Sequence, residues 1–111
     1  TVNPKISAQR MAAFSTEALK VLHNEKNKEF YINLGKAKAF LSYEYVNKAT
    51  VDLQHTQVPV ELQGKGIAKV LAKKAFDFVV DNNLQMKVTC TYLQKYLKEN
   101  PNEMYSKRVV Q

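Results

Sequence analysis

The sequence is poor in cysteine, and this limits the kinds of site that it can build. Cys90 is the only cysteine among 111 residues, so no disulfide can form within the chain. With His23 and His55 it makes too few ligands, too far apart in sequence, for a zinc site. We therefore expect a metal-free protein of an intracellular, reducing compartment, either the cytoplasm or the nucleus, with the mitochondrion not excluded.

Arginine is scarce although the chain is basic. The net charge is +7, yet only Arg10 and Arg108 among the 17 basic residues are arginines. Arginine is the preferred residue for hydrogen bonds to base edges and to phosphates, because its planar guanidinium can make two such bonds at once. Nucleic acid is therefore an unlikely partner by this criterion, and a polyanionic cofactor accounts for part of the charge more economically.

Long hydrophobic runs are also missing. No apolar stretch approaches the ~18 residues of a membrane-spanning helix, so no span and no membrane partner are predicted. The length of 111 residues and the 45% hydrophobic content suit one domain with one core. We expect a flexible or helical N-terminal extension at 1–17, a domain at 18–101 and a basic C-terminal tail at 102–111.

The hydrophobic pattern predicts an α+β domain that begins with strands. In the fourth strand, Val51, Leu53 and His55 alternate along what should be one face. Short polar turns between the strands indicate an antiparallel meander. The four predicted strands lie at 18–23, 30–34, 39–46 and 50–57.

A long amphipathic helix is predicted after the fourth strand, at 66–82. Its apolar positions recur at helical spacing and include Ile67, Leu71 and Phe78. A fifth strand at 85–90 should lie parallel to the fourth through a right-handed crossover. A last short helix at 92–100 is ended by Pro101.

The turn before the long helix is rich in glycine and lysine. Gly64 and Gly66 let the backbone approach a bulky anion closely. The first turn of a helix offers N–H donors without internal partners, at the positive end of the helix dipole. The lysines of this region are Lys65, Lys69, Lys73 and Lys74. Because basic residues at this end oppose the usual helix preference, we predict an anion-binding site.

The turn also resembles a known signature. The P-loop and dinucleotide patterns both fail here, whereas Gln63-Gly-Lys-Gly-Ile-Ala68 resembles the Gln/Arg-x-x-Gly-x-Gly/Ala signature of the GNAT acetyltransferases. The similarity covers about 19–101 and, through motifs such as Val51-Asp-Leu-Gln-His-Thr56, is close to a small branch of N-acetyltransferase domain-containing proteins. It implies a mixed sheet with an antiparallel meander of four strands, a parallel β-α-β crossover and a short C-terminal helix.

The resemblance implies where acetyl-coenzyme A would bind. The signature would hold the pyrophosphate, and the pantetheine arm would enter a gap between 53–58 and 88–90. Backbone groups near Thr56 and Val58 would pair with this arm and polarise the thioester carbonyl. The residues expected to bind the cofactor are Thr56, Val58, Gln63, Gly64, Lys65, Gly66, Ile67, Ala68 and Lys69.

With the resemblance to the GNAT acetyltransferases as the guide, three residues are candidates for catalysis, each with a structural alternative. Cys90 would be a nucleophile or acetyl carrier, or else a small buried residue. His55 would be a general base, or a histidine satisfied on a sheet face. Tyr96, preferred over Tyr92, would protonate the leaving thiolate, or would pack against the sheet.

The sequence therefore predicts an N-acetyltransferase that transfers an acetyl group from acetyl-coenzyme A to an amine acceptor of unknown identity. The transfer would be direct or would pass through Cys90. A non-catalytic module that binds coenzyme A or an acyl-coenzyme A is the alternative, since a small domain has little chain left for an acceptor pocket. A nucleic-acid-binding protein ranks third.

Overall fold

The computed structural model describes residues 19–110, so the extension expected at 1–17 lies outside the described residues. One mixed sheet forms the centre of the fold, and its strands follow chain order across it. The strands are β1 (Leu22–Asn24), β2 (Glu29–Leu34), β3 (Ala37–Asn47), β4 (Thr50–Gln57) and β5 (Gln85–Val88). The helices are a 3-10 turn (Val60–Leu62), α1 (Ile67–Asp81), α2 (Thr91–Glu99) and α3 (Glu103–Ser106).

The pairing confirms the predicted α+β arrangement. Strands β1 to β4 pair antiparallel in a meander, and β5 pairs parallel with β4 after the α1 crossover. Two predicted strands were too long. The first begins at Leu22 instead of residue 18, and the fifth ends at Val88 instead of Cys90.

The core lies between α1 and one face of the sheet. The most buried sheet residues, such as Leu41 and Leu53, are 0% exposed and face this helix. Fully burying a side chain of this size stabilises a fold by about 1.5–3 kcal/mol. Helix α1 contributes Ile67, Leu71, Ala72, Ala75, Phe76 and Val79 to the core.

A bulge in β4 changes which residues share a face. Leu53 pairs with Tyr43 but His55 pairs with Ser42, so Gln54 is an extra residue on β4. Thr56 therefore falls on the α1 side with Leu53, and His55 is exposed on the opposite face. The prediction that His55 continues the face of Leu53 is wrong, because one inserted residue reverses the alternation of a strand.

Residues 102–110, expected as a basic tail, pack against the domain. The hydroxyl of Tyr105, a residue only 7% exposed, donates to Oδ1 of Asp77 on α1 at 2.5 Å. The N–H of Met86 donates to the carbonyl of Arg108, and the N–H of Val110 donates to the carbonyl of Met86, both at 2.8 Å. This segment therefore belongs to the folded unit and covers part of the outer edge of β5.

No helix within residues 19–110 is both long enough and apolar enough to cross a bilayer.

Candidate functional site

The two parallel strands, β4 and the edge strand β5, separate part-way along β4. Their pairing ends at Leu53 and Val88, and the N–H groups of Thr89 and Cys90 both turn to the carbonyl of Leu53, at 3.1 and 3.0 Å. Strand β4 continues to Gln57 with β3 as its neighbour. Within the described chain, the last residues of β4 therefore have one edge without a strand partner, which is an edge that an extended ligand can use.

The turn after β4 is built to reach the start of α1. Gly64 and Gly66 have left-handed φ angles of 83° and 84°, a conformation that glycine adopts without a steric cost. Gly66 is the N-cap of α1 and makes no side-chain capping bond. The first N–H bonded back into the helix is that of Val70, to the carbonyl of Gly66 at 3.3 Å. The N–H groups that precede it in the first turn can donate hydrogen bonds to an anion.

The unpaired edge of β4 and the glycine turn before α1 meet in one pocket of about 460 Å³. It lies between the end of β4, the turn and the first residues of α1, with one tyrosine from α2. Its lining residues are Thr56, Val58, Leu62, Gln63, Gly64, Gly66, Ile67, Ala68, Lys69 and Tyr92.

The predicted cofactor residues therefore lie together, with one exception. Lys65 does not line the pocket, although it sits in the turn between the two glycines. Leu62 and Tyr92 line it and were not predicted to bind the cofactor. Leu62 gave no chemical signal, but it directly precedes the glutamine of the signature. Tyr92 and Tyr96 share one face of α2 at four-residue spacing, so the sequence could not decide which of them meets the pocket.

Tyr92 lines the pocket, and the pKa of its hydroxyl is shifted. Burial raises its pKa above the usual value, and nearby Tyr96, Cys90 and Glu99 add to the shift. Its hydroxyl therefore keeps its proton at neutral pH and is available as a donor.

Cys90 lies directly behind the pocket wall. It is 8% exposed, and its thiol donates a weak hydrogen bond to Oγ1 of Thr56 at 3.5 Å. Thr56 is a lining residue, whereas Cys90 is not. The thiol therefore contacts the site through one intervening side chain.

The other two predicted catalytic residues do not line the pocket. His55 is exposed on the face of the sheet opposite Thr56. Tyr96 packs its ring against Phe76 and Tyr92, with centroid distances of 5.8 and 6.4 Å. The structure thus brings Cys90 close to the pocket and leaves His55 and Tyr96 outside its wall.

The charge around the pocket is positive. Helix α1 has no acidic residue in its first turn. Lys73 is paired with Asp77 at 3.0 Å, which raises the pKa of the lysine. In the part of the chain that the structure describes, no carboxylate lies within 4.0 Å of the amino group of Lys65 or Lys69. Nor do residues 19–110 contain a group of three or more His, Cys, Asp and Glu placed to hold a metal ion.

The family is decided by a match across most of this domain. Residues 29–108 fit the family model of the GCN5-related N-acetyl-transferase. The chain belongs to the GCN5-related N-acetyltransferase family. The matched range includes most of the C-terminal segment that packs on α1 and β5.

Relatives from several vertebrates agree with this assignment to the N-acetyltransferase family. The chain is 51% identical over 94 residues to Protein NATD1 of Danio rerio, covering 83% of this chain and 86% of the relative. It is 48% identical over 93 residues to Protein NATD1 of Homo sapiens, covering 82% of each. The predicted resemblance to the small single-domain branch is confirmed.

A solved structure shows the same fold. The solution structure of a GCN5-like protein from Staphylococcus aureus superposes with a TM-score of 0.64 at 26% sequence identity. The match covers 83% of this chain and 88% of the other. The predicted GNAT-like fold is therefore confirmed.

Proposed function

We propose that the protein binds acetyl-coenzyme A in this pocket and transfers its acetyl group to an amine acceptor. The proposal rests on one observation, which is that one pocket has two different ends. The glycine turn and the start of α1 form one end, and the free edge of β4 forms the other. A ligand with a diphosphate at one end and an extended amide chain at the other matches this arrangement.

The phosphates occupy the start of α1 in this proposal. Gly64 and Gly66 allow close approach of the backbone, and the N–H groups of the first turn donate hydrogen bonds to the phosphate oxygens. Lys65 and Lys69 add positive charge without a carboxylate partner in the described residues. Attraction of a polyanion by such a field increases the rate and strength of association.

The thioester lies in the gap between β4 and β5. The acceptor amine attacks the carbonyl carbon, and a backbone N–H near Thr56 or Val58 stabilises the oxyanion. Such a donor contributes about 3–4 kcal/mol to the transition state. The thiolate of coenzyme A then leaves and takes a proton, and the attacking nitrogen releases one proton to solvent. We assign this proton donor to Tyr92 instead of Tyr96, because Tyr92 lines the pocket and Tyr96 does not.

One observation favours a second candidate, a non-catalytic module that binds coenzyme A. The ten lining residues include no carboxylate and no imidazole. A general base would have to come from outside the wall, such as His55 from the opposite face, or the acetyl group would have to pass through Cys90.

Calorimetric titration with coenzyme A and acetyl-coenzyme A tests the binding. The Gly66→Glu variant places a carboxylate at the N-cap of α1 and should abolish binding. Gly35→Glu is the matched control, since Gly35 also has a positive φ, of 74°, and lies in the β2–β3 turn outside the pocket lining. Equal loss in both variants, or no binding to the wild type, would overturn the proposal.

Turnover separates the two candidates. Wild type is incubated with acetyl-coenzyme A and a panel of primary amines, with release of free thiol as the readout. Release that depends on the amine supports the transferase, and binding without release supports the module. Intact mass of the wild type and of Cys90→Ala then shows whether an acetyl group is carried by the thiol.

A further inference from the structure

Within the pocket wall, the side chain of Gln63 is bonded to the chain's own backbone. Its Nε2 donates to the carbonyl oxygen of Val58 at 3.1 Å, and both residues line the pocket. The turn between them is already closed by its own backbone. The N–H of Leu62 donates to the carbonyl of Pro59 at 2.9 Å, and the N–H of Gln63 donates to the carbonyl of Val60 at 3.2 Å. The carboxamide is therefore not needed to hold the turn.

The carbonyl of Val58 stands in a position where an extended ligand would bind. Val58 follows directly on β4, beyond the point where β5 has separated from it. A free strand edge accepts N–H donors from an added extended chain. Gln63 supplies to this carbonyl a primary amide N–H, which is chemically the same kind of donor that such a chain carries.

Gln63 is also next to the proposed phosphate site. Gly64 follows it, and the N-cap Gly66 is three residues ahead. Its hydrogen bond to Val58 is exposed to solvent, so the bond can exchange with another partner at little cost. A bond from the same amide to a phosphate oxygen would be charge-assisted and stronger.

We infer that Gln63 exchanges partners when the ligand binds. An amide N–H of the extended arm replaces the carboxamide at Val58, and the released Nε2 donates to the diphosphate of the same ligand. This inference rests on the proposed function and deepens it. It makes Gln63 a specificity-determining residue that favours ligands in which an amide arm and a diphosphate are joined.

The test compares Gln63→Met with wild type by calorimetric titration of three probes: coenzyme A, pantetheine and ADP. Methionine keeps the length of the side chain and removes the amide. Pantetheine should bind the variant about two- to tenfold more tightly, because no bond to Val58 must be broken. Coenzyme A should bind about two- to tenfold more weakly, because the charge-assisted bond is lost. ADP has no amide arm but accepts the same bond at its diphosphate, so it should bind the variant more weakly by about the same factor as coenzyme A. Gln85→Met, at the exposed start of β5 where β5 is still paired with β4 and outside the pocket lining, is the matched control and should leave all three affinities unchanged.

A change of the same sign for coenzyme A and pantetheine, or no change, overturns the inference while the proposed function stands. Failure of the wild type to bind coenzyme A overturns both. A second measurement uses the wild type alone, so it does not depend on whether the variant folds. The side-chain amide signals of Gln63 in wild type should exchange faster with water when pantetheine is added and more slowly when coenzyme A is added. Signals that respond to neither ligand contradict the exchange.

Discussion

At the scale of single residues, position relative to the pocket separates side chains of the same type. Tyr92 and Tyr96 are four residues apart on α2, yet Tyr92 lines the pocket and Tyr96 packs on Phe76. His23 and His55, which both lie outside the pocket lining, differ in burial, since His23 is packed among aromatic rings and His55 is exposed. The chemistry of a residue type is therefore a weaker guide to its role than its place in the fold.

The two tyrosines give a direct test of the assigned proton donor. Tyr92→Phe should lower kcat by about 10²-fold or more, the usual effect of a positioned acid, and should leave the Kd for coenzyme A within a few-fold of wild type. Tyr96→Phe keeps the packing ring and should retain most of the activity. Steady-state rates and calorimetry on both variants check this, and the reverse order of effects would return the role to Tyr96.

Substitutions of Gly64 test the effect of backbone conformation in the turn separately from any steric clash. A β-carbon at Gly64 meets no atom within 4 Å, so an alanine there suffers from the φ of +83° and not from a clash. We expect Gly64→Ala to lower the free energy of unfolding by about 1 kcal/mol and to weaken cofactor binding. Gly64→Asn should be milder, because asparagine tolerates this region better. Urea unfolding of both variants measures the difference, and equal stabilities would contradict it.

At the scale of elements, α1 connects the pocket with the C-terminal segment. Its first residue, Ile67, lines the pocket, and its later residue Asp77 accepts from the Tyr105 hydroxyl. The ring of Tyr105 packs on Phe76 at 5.1 Å. Burial and the bond to Asp77 raise the pKa of Tyr105, so this bond is present throughout the neutral range. The last helix of the chain therefore helps to fix the helix that begins at the site.

If the C-terminal segment helps to fix α1, variants of this segment should lose stability. Tyr105→Ala removes a buried ring and should lower the free energy of unfolding by about 3–5 kcal/mol. Tyr105→Phe removes the bond to Asp77 and should cost about 1–3 kcal/mol. Met104→Ala is the control, since Met104 is 57% exposed, and it should stay within about 0.5 kcal/mol of wild type. Chemical denaturation checks the order, and a Tyr105→Ala variant as stable as Met104→Ala would show that the segment is a tail.

At the scale of the whole molecule, a part-buried polar pair joins β1 and β3 beside α1. Nε2 of His23 and the Tyr43 hydroxyl share a hydrogen bond of 2.6 Å, and the His23 ring stacks on Phe30 at 4.1 Å. Burial lowers the pKa of His23, with Lys74 acting in the same direction and Glu25 opposing it. Burial also raises the pKa of Tyr43, to about 12. The fold therefore favours a neutral pair at this place.

The stability of the molecule should depend on pH through His23. A histidine whose pKa is lower in the folded state binds fewer protons there, so its contribution is present above the unfolded value of 6.5 and is lost as the pH falls below it. We expect the midpoint of urea unfolding to decrease between pH 7 and pH 5. His23→Gln should flatten this dependence, and the exposed His55→Gln should keep it. A steeper or unchanged slope in His23→Gln would exclude His23 as the cause.

Much of the fold could be predicted from the sequence because it depends on local pattern. The spacing of Ile67, Leu71 and Phe78 predicts α1 within a residue of its ends, and the glycine turn marks its start, where the phosphate site is proposed. The β4 bulge escaped prediction because Gln54 has no feature that marks an extra residue in a strand. The predicted faces were therefore correct up to Leu53 and wrong at His55.

The sequence by itself determined the mixed sheet, the crossover helix and all the pocket residues between Gln63 and Lys69 except that it wrongly included Lys65, because these follow from periodicity and from glycines close together in the chain. Only the tertiary structure decided that Tyr92 faces the pocket, that Cys90 lies behind Thr56 and that residues 102–110 pack on α1 and β5. These contacts join segments that are far apart in sequence. Their geometry depends on strand register, on one bulge and on how two helices pack, and no local pattern carries that information.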